Sequence, residues 1–425
     1  MESNTKVKQQ TVSILSLALF TVFVTGVSLR LVNFHISRRS PDELIYTSQA
    51  RIIAKNGIQG TKELVVAYLK ESRLWIYPPP TRIGYLIPLS AFMRITNDTN
   101  ESAGAKLSFF FNLIAMGLLV IFGLKFFTPG GTLYALLFLS VSPMDIAIAR
   151  RAWQDALLGC IGFFLIYICC EIMARANNRK RWYLLFVALG SWCILIKESG
   201  SIIYGLCALW VLWFLFYKER NFVSGSLLIL GIVIGSFFSV ALLAYACGGV
   251  NAIFAVLRHV KEAMPTNIYA LEYQTGAWYN LLQGFWILTP FNALFCPLGM
   301  ATLLHDTLRP NSKERADNKR RYAFVGLVFF SVSFVCIASL APYCQSLRYV
   351  SVLYIPFYLI SGYGFQKICY YLQPLLRSRL FYFVLTVLVI IVLGEAFFDY
   401  MNFTYFFNKQ NLCDISIGLL KEASR

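Results

Sequence analysis

Apolar runs of about 20 residues recur along almost the whole chain, and this pattern limits its fold more than any other feature. A bilayer offers no water to bond a spanning backbone, so a span is either a helix or part of a closed barrel. A barrel strand needs only about 10 residues, so runs of this length predict helices. The first run, from Thr11 to about Phe34, follows Lys6 and Lys8 and has no small-residue cleavage site. It reads as an uncleaved span, with Arg30 snorkelling to the far interface. Further candidates are residues 103–127, 131–149, 153–174, 182–197, 200–217, 222–247, 280–304, 322–342, 349–366 and 380–398. The expected class is an all-α polytopic membrane protein with about eleven transmembrane helices.

Charge supports that class and orients it. Charged residues make up 14% of the chain, against about 25% in soluble proteins, and mean hydropathy is +0.61. The net charge of +17 does not indicate a nucleic-acid partner, because no soluble domain exists to bear a basic patch. It reads instead as the excess of Lys and Arg in cytoplasmic loops. With the N-terminus inside, the inner loops hold Lys125, then Arg175, Arg179, Lys180 and Arg181, then Lys218 and Arg220. Arg309, Lys313, Arg315, Lys319, Arg320 and Arg321 follow, and finally Lys367, Arg377 and Arg379. The long segments 34–102 and 248–279 then lie outside, as does the tail 401–425, and residues 1–400 form one transmembrane domain. Three glycosylation-type triplets, at Asn97, Asn100 and Asn402, also fall outside. Eleven Cys show neither paired nor metal-type spacing, and His35, His259 and His305 are scattered, so no disulfide framework or zinc site is expected.

Ser40-Pro41-Asp42-Glu43 follows the first span. Ser40 and Glu43 have capping-box spacing, Pro41 suits a first helical turn, and Gly57 suits the helix end. Ile45, Ile52 and Ile53 would share one face, resting this helix on the membrane surface. On this reading Asp42 and Glu43 serve the helix dipole as readily as they serve chemistry. Ionisable residues at membrane depth are costly, however, and the topology gathers Asp42, Glu43, Arg150, Arg151, Asp155, Lys197, Glu198 and Arg348 at one rim. An ion-pair network for rigidity and a reactive site both fit that gathering. Segment 248–279, with Arg258, His259, Lys261 and Glu262, fits a lid or an amphipathic helix on the lipid surface.

An Asp-Glu pair followed by Tyr46 on the first outside loop resembles the GT-C superfamily of membrane glycosyltransferases. Within it the sequence is similar to protein O-mannosyltransferases and the lipid A aminoarabinose transferase. Other stretches agree in family order: Tyr77 to Pro80, Ser142-Pro143 with Ala149 to Asp155, Leu195 to Gly200, and Arg348-Tyr349 with Pro356. Lys106 stands where the family often has Arg, and no soluble domain follows the last span.

The resemblance implies a GT-C architecture with interfacial helices in the first outside loop, in a plasma (inner) membrane with the site facing outward. It implies transfer of one sugar, with inversion, from a polyprenyl-phosphate donor to a protein, glycan or lipid acceptor. Asp42 would be the base, with Glu43 beside it and Asp155 orienting the acceptor. Arg348 and Lys197 would hold the donor phosphate, with Arg150 or Arg151 as alternates, and Tyr46, Tyr77 and Tyr349 would contact substrate. No cofactor is demanded; two carboxylates leave room for one divalent metal, though no spacing requires it. The rival from another class is a transporter or flippase of lipid-linked sugars. Transporters usually show paired halves with polar residues at mid-membrane, which this sequence lacks.

The topology is testable with single cysteines in a cysteine-free background. A cysteine at Asn100 should react with an impermeant thiol reagent in intact cells, and one at Asn311 should be shielded. Labelling of both from the same side would contradict the orientation.

Overall fold

A computed structural model describes the chain except Met1, Asn33, residues 35–38, 175–178 and 309–317, Arg377 and Arg425. Arg175, Arg309, Lys313, Arg315 and Arg377, counted above as inner bases, and His35 therefore lie outside the described residues.

The fold is all-α. Helices α1 (Glu2–Leu31), α2 (Pro41–Asn56), α3 (Ile58–Lys70) and α4 (Ile83–Thr96) lead into α5 (Ser102–Phe126). Next come α6 (Pro129–Val141), α7 (Pro143–Ala149), α8 (Gln154–Ala174), α9 (Lys180–Ile196) and α10 (Glu198–Trp213). After α11 (Phe222–Cys247) lie α12 (Val250–Ala263), α13 (Ile268–Tyr273), α14 (Asn280–Leu288) and α15 (Pro290–Leu308). The chain closes with α16 (Asn318–Leu340), α17 (Tyr354–Leu372), α18 (Ser378–Phe403) and α19 (Ile417–Ala423).

Among the described residues, seven helices are long and apolar enough to cross a bilayer, or eight if one bent pair counts as a span. The expected count of about eleven is not reproduced, because several apolar runs are broken or short. The run 131–149 bends by 59° between α6 and α7. There Pro143 forces Ser142 out of the helical region, to φ −55° and ψ 120°, and the Ser142 hydroxyl accepts from the Asp145 N–H at 3.2 Å to start α7. The run 280–304 breaks in the same way at Thr289, before Pro290. Helix α9 has only 17 residues.

Helix α8 is the hub, buried on nearly all sides and packed by α5, α9, α10 and α16. The outermost spans instead turn apolar faces outward: Phe237 on α11 is 74% exposed and Ile390 on α18 is 62% exposed. Faces like these need lipid. Where α15 and α17 cross, Gly299 and Gly364 leave no room for a Cβ, so their backbones touch.

Two expectations about the first 60 residues are corrected. Arg30 does not snorkel: it is fully buried and donates to Asn112 at 2.6 Å, to the Gly26, Leu139 and Ser140 carbonyls at 2.9 Å, and to Asp145 at 2.5 Å. A guanidinium can stay inside once its donors are filled, and here they pin α1 to α5 and to the α6–α7 break. Ile45, Ile52 and Ile53 of helix α2 do not share one outward face. Tyr46, Ala50 and Ile53 are buried, and α2 packs on α3 and α4 while Ile52 stays half exposed. The helix ends at Gly57, whose φ of +63° suits glycine best, and α3 begins at once.

Breaking the Arg30–Asp145 pair strands a buried charge, so Asp145→Ala should cost about 3–5 kcal/mol. Thermal unfolding in detergent should show a clear fall for Asp145→Ala, and a smaller fall when Arg30→Met is added. A larger fall for the double variant would contradict the pinning account.

Candidate active site

Several elements end at one large cavity. The first turn of α2 supplies Asp42 and Tyr46, and the proline-rich segment supplies Tyr77, Pro78, Pro79 and Arg82. The first turn of α8 supplies Gln154 and Asp155, and the 3₁₀ turn Leu347–Leu353 supplies Arg348 and Tyr349. The cavity holds about 840 Å³.

Local sequence explains each placement. Pro41 starts α2, and the Ser40 N–H donates to the Glu43 carboxylate at 2.9 Å, which is the glutamate half of the expected capping box. Three prolines keep segment 78–80 out of a helix, and the Gln49 amide donates to the Pro78 carbonyl at 3.2 Å. The Ser351 hydroxyl donates to the Asp155 carbonyl at 2.8 Å, joining the 3₁₀ turn to α8.

Charges at this rim are paired. Arg348 donates to Asp42 at 2.7 Å and to the Tyr349 hydroxyl at 3.0 Å, and its Nε lies 3.5 Å from Asp414. Lys197 donates to Asp155 at 2.7 Å and stands 3.8 Å from the Tyr349 ring centroid, a cation–π contact. Arg82 donates to Glu198 at 2.9 Å and to the Tyr46 hydroxyl at 2.5 Å, and that hydroxyl donates on to Gln154 at 2.5 Å. Burial opposes the charge on Arg348, but Asp414, Tyr349 and Asp42 outweigh it and hold the guanidinium well above the usual arginine range. Arg82 is raised in the same way, with Glu198 and Tyr46 outweighing its burial. Both therefore stay cationic at any physiological pH.

Of the residues singled out from sequence, Asp42, Asp155, Arg348, Tyr46, Tyr77 and Tyr349 line the cavity together. Lys197 does not line it and reaches it through Asp155 and Tyr349. Glu43, Arg150 and Arg151 do not line it either. Glu43 is 1% exposed and accepts from Arg151 at 2.9 Å and from the Ala152 N–H at 3.0 Å, tying α2 to the turn before α8. Arg150 stacks on Phe403, 5.4 Å from its ring centroid. Lys106 pairs with Asp98 at 2.6 Å.

Segment 248–279 reaches the cavity wall. Along α12, Ile253 and Val256 are buried while Phe254 is 62% exposed, and Val260, Met264 and Tyr269 line the cavity. Sequence reasoning missed Arg82 and Asp414. Arg82 had a signal, a cation directly after the proline run; Asp414, in the tail, had none.

Among the described residues no three His, Cys, Asp or Glu side chains gather closely enough to hold a metal ion, and Asp42 and Asp155 are each spent on a cation.

No protein-family model matches the chain, and no curated protein matches it in sequence. Solved structures do match in shape. ArnT from Cupriavidus metallidurans bound to undecaprenyl phosphate is 13% identical, with a TM-score of 0.55 over 98% of this chain and 77% of that one. The chain shares the fold of this structure. A second GT-C structure, the archaeal oligosaccharyltransferase AglB from Archaeoglobus fulgidus with an inhibitory peptide and a dolichol-phosphate, is 11% identical. Its TM-score is 0.57 over 91% of this chain and 55% of its own. The Archaeoglobus fulgidus enzyme in complex with Zn and sulfate matches with a TM-score of 0.56 at 11% identity, over 91% of this chain and 52% of its own.

Proposed function

We propose that this chain is a glycosyltransferase that moves a single sugar from a polyprenyl-phosphate-linked donor to an acceptor hydroxyl. The transfer takes place at the outer face of the plasma membrane, with inversion at the sugar carbon. One observation supports this reading above the others. A carboxylate open to the cavity, Asp42, lies 2.7 Å from Arg348, so a proton acceptor and a phosphate ligand stand side by side. Polyprenyl phosphates bound to ArnT and AglB, which share the fold, agree with a lipid-linked donor.

The chemistry follows from those neighbours. A donor phosphate attracts Arg348, whose planar fork suits phosphate oxygens, and draws it away from Asp42. Asp42 is then free to accept the proton of the acceptor hydroxyl. As the hydroxyl oxygen bonds the sugar carbon from one face, the bond to the phosphate oxygen breaks on the other. Negative charge grows on the departing phosphate, where Arg348 and, through Asp155 and Tyr349, Lys197 stabilise it. Asp155 orients the acceptor. Tyr46, Tyr77 and Tyr349 offer aromatic faces and hydroxyls suited to a sugar ring. The acceptor is a protein, a glycan or a lipid that reaches this rim.

Variants separate chemistry from scaffold. With a panel of synthetic polyprenyl-phosphate sugars and native membranes as acceptor, Asp42→Asn should slow transfer by about 10²–10⁴-fold, the usual cost of a lost general base. Its melting temperature should stay near wild type. Glu43→Ala should lower the melting temperature strongly, because it removes the carboxylate that pairs with buried Arg151. Near-wild-type transfer by Asp42→Asn would rule out the proposed base.

A further inference from the structure

Arg348 is shared between two carboxylates. Asp42 takes one terminal nitrogen at 2.7 Å, while the Asp414 Oδ1 stands 3.5 Å from Nε, which has no hydrogen-bond partner among the described residues. Asp414 is 3% exposed and held firmly: its own carboxylate accepts from the Tyr269 hydroxyl at 2.9 Å, the Ile415 N–H at 2.8 Å and the Gln274 amide at 3.4 Å. Burial, with Asp414 beside it, raises the Tyr269 hydroxyl above its usual range, so this hydroxyl remains a donor.

The segment bearing Asp414 is also fixed in place. Arg151 donates to the Leu412 carbonyl at 2.7 Å, the Leu347 N–H donates to Ile415 at 3.1 Å, and the Ile417 N–H donates to Gln345 at 3.2 Å. Segment 412–417 therefore pairs with the strand of chain that enters the Arg348 turn, through the antiparallel bridge Ser346–Ser416.

The two partners differ in what they can give up. Asp42 opens to the cavity, with its side chain 25% exposed, and it has to release Arg348 before it can take a proton. Asp414 is buried with its other lone pairs filled, so it can keep Arg348 while Asp42 lets go. We propose that Asp414 is a positioning residue for donor binding: it closes on Nε when Asp42 is released and aims the terminal nitrogens of Arg348 at the donor phosphate. The proposal rests on the donor reading above and adds a residue outside the stretches that resemble the family.

The sign of one measurement tests it. Removing a negative charge beside an anion site ordinarily tightens anion binding. A positioning role predicts the reverse. Undecaprenyl phosphate binding to the full chain in nanodiscs, followed by tryptophan fluorescence, should weaken about three- to tenfold in Asp414→Asn. Asp414→Glu should recover part of the loss. Arg348→Lys, which has no Nε–H, should bind weakly and be insensitive to adding Asp414→Asn. Tyr269→Phe loosens Asp414 without altering its charge, and should weaken binding in the same direction if Asp414→Asn fails to fold. Equal or tighter binding by Asp414→Asn, or by Tyr269→Phe where that variant stands in, would overturn the proposal while leaving the donor reading intact, provided Arg348→Ala still binds poorly. Wild type that does not bind undecaprenyl phosphate would overturn both.

Discussion

Arg348 joins three parts of the chain that sequence keeps far apart: α2 through Asp42, the tail through Asp414, and its own 3₁₀ turn. A cation buried at the end of an apolar bundle is costly unless carboxylates and hydrogen bonds surround it. That cost shapes the rim. Lys197 takes Asp155, Arg82 takes Glu198 and Tyr46, and Arg151 takes Glu43. At Arg348 the balance runs the other way, with Asp42 and Asp414 dividing a single guanidinium. A site with a carboxylate to spare is suited to receive a proton, and a guanidinium with two partners can change one of them without being left bare.

The bundle below makes this arrangement rigid. Helix α8 begins at the cavity with Gln154 and Asp155 and then runs through the middle of the molecule, so Asp155 stands on the most enclosed of the seven long apolar helices. Arg30 ties α1 to the α6–α7 break, and Glu43 ties α2 to the turn before α8. The charged groups of the cavity thus sit on helix starts and short turns whose backbones are held by buried polar contacts. Fixed donors and acceptors of this kind lose little to reorganisation when charge moves.

The fold class was legible because hydrophobic length is a one-dimensional signal. Individual spans were less so: Ser142-Pro143 and Thr289-Pro290 break runs that hydropathy reads as continuous, since the window averages over a proline whose effect is local. Arg30 was misread because snorkelling and burial look alike until its partners Asn112 and Asp145 are known, and both lie more than 80 positions away in the chain. At the site, Asp42, Asp155, Arg348 and the tyrosines were legible as charged or aromatic residues in family-like stretches at one rim. Glu43 and Arg151 looked the same from sequence, and only side-chain direction separates them from the cavity wall. Asp414 was invisible because its place depends on the tail folding back over residues 345–347.

The exchange of partners at Arg348 is the centre of this account, and a structure of the chain with undecaprenyl phosphate tests it most directly. The account predicts phosphate oxygens within about 3 Å of the Arg348 guanidinium, inside the cavity, with Asp42 detached and facing open space. A phosphate seated elsewhere, with the Asp42–Arg348 pair unbroken, would contradict it.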